Sequence, residues 1–144
     1  MVVVDTSVLV KWFIEENDSA PALRIRDAQR EGRIRGACPD FALVELGNVL
    51  RYKFPPQDVD RVTAAVRSIT SLGIKVIASS PEIVSEGIRA AYANNLAVYD
   101  ALFVALAQDL GYPLVTADDE LWSRTRNLGF VHHVRDWQIP LERR

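Results

Sequence analysis

Cysteine is nearly missing from this sequence. Cys38 is the only one, which excludes an intramolecular disulfide and any multi-cysteine zinc site, and fits a reducing compartment. Taken alone it reads as a small buried hydrophobe. Positive charge is not in excess either. A formal net charge of -2 and an isoelectric point near 5.7 give no whole-molecule attraction to nucleic acid, so any such binding has to come from a local patch or a bound cation. Long apolar runs are absent too: no uncharged stretch approaches the ~20 residues needed to cross a bilayer, and the start Met1-Val2-Val3-Val4-Asp5 lacks the basic and apolar segments of a signal peptide. A cytoplasmic protein with no membrane association is expected. Glycine-rich phosphate loops, internal repeats and low-complexity segments are likewise not found.

What is present is material for a core. A chain of 144 residues, 49% hydrophobic and 25% charged, suits one domain spanning residues 1–144 that buries roughly two-thirds of its unfolded surface. Val2-Val3-Val4 is a β-branched run too short for a buried helix, so it predicts a strand ending at Asp5. A helix from Ser7 to about Ile14 follows, then one from Ala20 to Glu31 closed by Gly32, then a strand from Ile34 to Cys38. Pro39 and Asp40 open a helix that runs to about Lys53 and is stopped by Phe54-Pro55-Pro56. Val59, Val62, Val66 and Ile69 recur at helical spacing between Gln57 and Leu72, before a strand at Ile74 to Ile77. Ser80-Pro81 begins the next helix as cap and first residue, lasting to Asn94-Asn95. Tyr99 to Leu110 is apolar on almost every side and must be a buried helix. A strand at Tyr112 to Thr116, a helix at Glu120 to Asn127 and a strand at Phe130 to Val134 complete the pattern. Strands alternating with helices predict an α/β three-layer sandwich around a mainly parallel sheet of about five strands.

Open sheets of this kind bind ligands beyond the carboxyl ends of their strands. Asp5 and Asp118 fall at such ends; Asp100 starts a helix, and Glu45 sits in the middle of one. Taken singly, Asp5 and Asp100 read equally well as helix caps, and Asp118 and Asp119 as turn residues. Glu45 stands apart: Leu43, Val44 and Leu46 surround it, no Lys or Arg lies three or four residues before it, and Val49 lies four after. A half-buried acid of this kind needs a partner. Asn48, one turn on, is one candidate hydrogen-bond donor, and a bound cation is another. Carboxylates gathered together raise one another's pKa, a divalent cation relieves the repulsion, and all-oxygen ligands suit Mg²⁺ or Mn²⁺ rather than zinc. One such ion activates water and orients a phosphodiester, and two roughly 4 Å apart clamp attacking and leaving oxygens. That is nuclease chemistry.

The segment Val4-Asp5-Thr6-Ser7-Val8 is followed by Lys11-Trp12-Phe13; Glu45 precedes Leu46-Gly47-Asn48-Val49-Leu50; Tyr99-Asp100-Ala101 and Leu114-Val115-Thr116-Ala117-Asp118 come after. In this order and spacing the four pieces resemble the PIN-domain family, and specifically the VapC-type toxin ribonucleases, over essentially the whole chain. The resemblance implies an endoribonuclease dependent on Mg²⁺ or Mn²⁺, the toxin of a type II toxin-antitoxin pair, which hydrolyses RNA with metal-activated water. It further implies a cognate antitoxin and a homodimer. Asp5, Glu45, Asp100 and Asp118 are then the acidic catalytic and metal site, with Asp5 and Asp100 foremost on the metal. Thr6, Ser7 and Thr116 match hydroxyl positions beside the acids, Asn48 is a further supporting residue, and Asp119 is an alternative to Asp118.

Other features receive plainer readings. His132 and His133 face opposite sides of a strand and do not act together. Arg24, Arg26, Arg30, Arg33 and Arg35 either guide phosphates or form a solvated face, the second being commoner. Trp12, Phe13, Trp122 and Trp137 are core or interface residues. Apolar surface on the helices from Gln57 to Asn95 serves the core, a dimer or an antitoxin segment. A haloacid-type phosphatase needs a second Asp where Ser7 stands, and a receiver domain needs an Asp where Val76-Ile77 leads into Ala78-Ser79. The competing functions are a PIN-like RNA- or protein-binding module without catalysis and a structure-specific nuclease acting on DNA.

Overall fold

The computed structural model describes residues 1–53 and 55–141. The first strand, β1 (Val2–Val4), has all three side chains buried although successive residues point to opposite faces, so the sheet is covered on both sides at this position. That double burial is why the run is continuously β-branched rather than alternating. The short helix α1 (Thr6–Val10) follows at once, ending four residues before the expected Ile14. Helix α2 (Ser19–Arg30) leads to β2 (Gly36–Pro39). Pro39 thus closes a strand instead of opening a helix: it pairs with Ile77, and it is Asp40 whose amide bonds the Ile77 carbonyl. Asp40 also caps α3 (Phe41–Tyr52) by accepting from the Phe41 amide. Of the expected stop signal after this helix, Phe54 lies outside the described residues.

Helix α4 (Val59–Ser71) is capped by Asp58 and precedes β3 (Lys75–Ile77). Helix α5 (Pro81–Asn94) has the expected Ser80 cap, whose hydroxyl accepts from the Ile83 amide. Helix α6 (Val98–Leu110) is buried continuously from Ala101 to Ala107 and packs on β1 and β2. Phe103 is its largest buried side chain and meets Phe41 edge to face at 5.3 Å. Strand β4 (Leu114–Thr116), helix α7 (Asp119–Thr125), a short 3-10 turn and β5 (Val131–His133) end the described pattern. No single helix among the described residues is long and apolar enough to cross a membrane.

All five strands run parallel in the order β3-β2-β1-β4-β5. The chain winds outward from β1 through β2 to β3, then returns to the other side of β1 for β4 and β5. The strand order therefore reverses between β1 and β4, and a crevice opens at their carboxyl ends, the usual place for a ligand. Cys38 lies in β2, between the registers of β1 and β3, fully buried, and burial pushes its thiol up to about 12.

Helices α5 and α6 pack closely because α5 carries Gly87. A Cβ placed there would lie 2.7 Å from Leu102 Cδ2 and 3.1 Å from its Cγ. Gly87→Ala gains about 1 kcal/mol of helix propensity but forces Leu102 off its packing, and overpacking costs about 1–3 kcal/mol. Urea unfolding is expected to find the variant destabilised by about 1 kcal/mol, with a gain in stability counting against this tight contact.

Candidate active site

The crevice between β1 and β4 collects the acids. Asp5, Glu45, Asp100 and Asp118 line one open pocket with Thr6, Ser7, Val10, Lys11, Glu16, Val49 and Lys53. Each acid arrives by a different local rule. Asp5 is the residue after β1, 4% exposed. Glu45 projects from the middle of α3 and Asp100 from the first turn of α6. Asp118 is the cap of α7, just beyond β4.

A set of hydroxyls and amides fixes one oxygen on three of these acids. Asp5 Oδ2 accepts from Ser7 Oγ at 2.5 Å and from Thr116 Oγ1 at 2.8 Å. Glu45 Oε1 accepts from Thr6 Oγ1 at 3.0 Å. Asp118 Oδ1 accepts from the amides of Glu120 and Leu121. The second oxygen of each takes no such bond among the described residues. The hydroxyls also work backwards: Ser7 Oγ accepts from the Ala117 amide and Thr116 Oγ1 from the Asp118 amide. The loop bearing Asp118 is thereby stapled to Asp5.

None of the four acids has a Lys, Arg or His partner within salt-bridge distance among the described residues, although acids nearby do. The electrostatic consequence is large. Burial pushes the Asp5 carboxyl up to about 6, with the Asp100 and Asp118 charges adding to it and the Ser7 and Thr116 bonds opposing. Glu45 is pushed up to about 7, first by burial, against the Thr6 bond, and then by Asp5 and Asp100. Asp100 is raised by burial and by Asp118 and Glu120. Hard oxygen donors that lack a cation are suited to Mg²⁺ or Mn²⁺. As they stand, no three His, Cys, Asp or Glu side chains among the described residues are close enough to enclose an ion by themselves.

Several expectations are refined by this geometry. Glu45 is half-buried, yet Val44 beside it is 74% exposed and covers nothing. Asn48 makes no hydrogen bond to Glu45; it is exposed and lines a separate groove between α3 and α4. At 3.6 residues per turn, position i+3 lies roughly 60° to one side of Glu45 and i+4 roughly 40° to the other, and the acidic pocket is on the Val49 side. Asp119 turns away from the pocket, pairing with His133 Nε2 at 2.9 Å and Arg135 at 2.8 Å. His133 is buried and His132 half-buried, on opposite faces as expected. Trp12 is core, its indole donating to the Ala22 carbonyl at 2.8 Å, and Phe13, Trp122 and Trp137 pack against the core. None of Arg24, Arg26, Arg30, Arg33 and Arg35 lines the acidic pocket. Glu16 and Lys53 do line it and went unnoticed in the sequence, where 37 residues separate them.

A family model described as PIN domain matches residues 2–128. The chain belongs to the PIN domain family. No curated protein sequence matches it. Among solved structures, this PIN chain is similar to PAE2754 from Pyrobaculum aerophilum, with 26% identity, a TM-score of 0.68 and coverage of 93% of this chain and 89% of that one. VapC20 of Mycobacterium tuberculosis, a toxin that cleaves the sarcin-ricin loop, shares the fold at 15% identity and TM-score 0.71, over 91% and 97% of the two chains. A toxin-antitoxin complex from Klebsiella pneumoniae supplies another such chain, at 17% identity and TM-score 0.67, over 93% and 98%. The acids expected from the sequence thus lie together, in a PIN fold, at the edge where its strand order reverses.

Proposed function

We propose that this PIN protein is a metal-dependent endoribonuclease, the toxin of a type II toxin-antitoxin pair acting in the cytoplasm, with Asp5, Glu45, Asp100 and Asp118 as its acidic site. The observation that carries the reading is the set of four acids lining one crevice, three with raised pKa and none with a cationic partner among the described residues. Leaving such a group uncompensated is costly, and Mg²⁺ or Mn²⁺ compensates it. When bound, the cation supplies neutralising charge, a water activated for attack and polarisation of the phosphodiester. Asp5 and Asp100 would hold it, with Glu45 and Asp118 completing its surroundings or ordering its waters. Thr6, Ser7 and Thr116 hold one oxygen of Glu45 and of Asp5 in place before any ligand arrives. Asn48 lies outside the acidic pocket, on the groove between α3 and α4.

The partners in this reading are RNA, an antitoxin and a second copy of the chain. Support for a protein partner comes from the groove between α3 and α4, about 750 Å³, lined by Leu43, Val44, Val59, Val62 and Val66. Val44 and Val59 there are 74% and 76% exposed. The test of function is cleavage of a labelled stem-loop RNA panel by the purified protein. Cutting with Mn²⁺ or Mg²⁺ is expected, and chelator and Asp100→Asn should each remove it. Failure to cut any RNA while folded and metal-loaded would favour a binding module, and cutting confined to branched DNA would favour the DNA-acting nuclease.

A further inference from the structure

The acidic pocket has a basic rim that the nuclease chemistry above does not use. Lys11 Nζ donates to Glu16 Oε1 at 3.0 Å and Lys53 Nζ to Glu16 Oε2 at 2.8 Å, so one carboxylate holds two ammonium groups side by side. All three residues line the same pocket as Asp5, Glu45, Asp100 and Asp118. Burial works against ionisation of Glu16, but the bonds from Lys53 and Lys11 outweigh it and hold its carboxyl below the usual range. Two ammonium groups against one carboxylate give the trio a net positive charge.

The choice of cation is informative. The sequence contains fourteen arginines and three lysines, and two of those three lysines, Lys11 and Lys53, are on this rim. Where this protein pairs charges elsewhere at its surface it uses Arg26, Arg33, Arg89, Arg124 and Arg135. An arginine facing Glu16 could lock onto it through two parallel bonds. A lysine is a point charge with three donors on a flexible stem, and each ammonium here gives one hydrogen bond to a side chain. On the exposed Lys53, donors remain for an incoming anion without breaking the bridge.

We propose that Lys53, held beside the buried Lys11 by Glu16, grips a backbone phosphate of the RNA strand beside the bond to be cut. This rests on the nuclease reading of the acids. It answers a difficulty of that reading: with a net charge of -2 and a crevice of unpaired carboxylates, the protein has little else at the pocket to attract a polyanion. Glu16 is a positioning residue here; Lys53, 41% exposed, touches the substrate, and Lys11, 9% exposed, adds its charge from behind.

The test measures binding of a labelled single-stranded RNA in the uncut Asp5→Asn background, across a salt series, beside cleavage by the native protein. Lys53→Met keeps the stem and removes the charge. It is expected to weaken binding roughly five- to tenfold at low salt and to reduce the slope of log K against log salt by about 0.7, the value for one phosphate contact on a single strand. Glu16→Gln keeps one acceptor oxygen to hold the pair but removes the charge that competes with the phosphate, and is expected to act in the opposite direction, tightening binding two- to threefold. A merely structural strut would make both substitutions weaken binding alike. A slope unchanged by Lys53→Met, or a loss of affinity in both variants, overturns the proposal while the acids keep their role. If the native protein neither binds nor cuts RNA, the nuclease reading itself falls and the phosphate grip with it.

Discussion

Asp5→Asn is expected to lower kcat/KM for RNA about a thousandfold or more, roughly 4 kcal/mol at 1.36 kcal/mol per decade, and yet to make the metal-free protein more stable at pH 8. Both effects come from the same carboxylate. Asp5 is 4% exposed, with no cationic partner and with two acids nearby. Raising its pKa from 3.8 to about 6 corresponds to about 3 kcal/mol against the ionised form in the fold. Asparagine keeps the shape, and its carbonyl oxygen has two lone pairs for the Ser7 and Thr116 hydroxyls. The gain should appear as a rise in melting temperature of roughly 6–12 °C at pH 8 in chelator, and should vanish at pH 4, where Asp5 is already neutral. A variant that loses activity and also melts lower at pH 8 would mean that the native carboxylate is compensated by something other than a cation.

Between pH 4 and pH 7 the metal-free native protein is expected to lose stability as pH rises, the reverse of ordinary acid denaturation. Asp5 and Glu45 bind protons more tightly in the fold than in the unfolded chain, their values moving from 3.8 to about 6 and from 4.5 to about 7. Stability contributed by such groups is complete below their unfolded values and disappears as pH climbs through the folded ones. Glu16 and Asp40 have lowered values and act in the other sense, but only as pH falls below the ordinary carboxylate range. The window from about 5 to 7 therefore belongs to the acidic pocket. Urea unfolding at pH 4.5, 6 and 7.5 should show a fall of about 2 kcal/mol from Asp5, the first part of its loss lying below pH 4.5, with a smaller addition from the half-exposed Glu45. Mn²⁺ at a hundredfold excess over its Kd should restore about 2.7 kcal/mol at pH 7.5. A metal-free protein that instead gains stability across this window would contradict the electrostatics derived for the pocket.

The parts of this molecule legible in the sequence were those governed by local rules. The β-branched start, the Ser80-Pro81 cap and the apolar stretch of α6 each name their element through composition over a few residues. Asp5 and Asp118 were legible because strand ends in a doubly wound sheet share one edge. Pro39 misled because proline favours both a strand end and a helix start, and only pairing with β3 decides between them. Asn48 misled because adjacency along a helix surface is shared by i+3 and i+4, while the pocket lies on one side only. The bridge from Lys11 through Glu16 to Lys53 depends on how α3 ends beside the turn after α1, a tertiary relation with no pattern in the chain. Lys11 stood within the motif that carried the family resemblance, but its partner Lys53 could be seen only in three dimensions.

The position of Cys38 gives the protein a spectator of its own breathing. It is the sole thiol, it lies inside the sheet between β1 and β3, and at about 12 its pKa leaves almost no thiolate at neutral pH. A maleimide or disulfide reagent added to native protein thus waits for the sheet to part, so its reaction rate reads the rare open population. Because β2 sits beside the strand that ends in Asp5, the same clock should slow whenever anything seals the crevice, whether an ion, a nucleic acid or a protein.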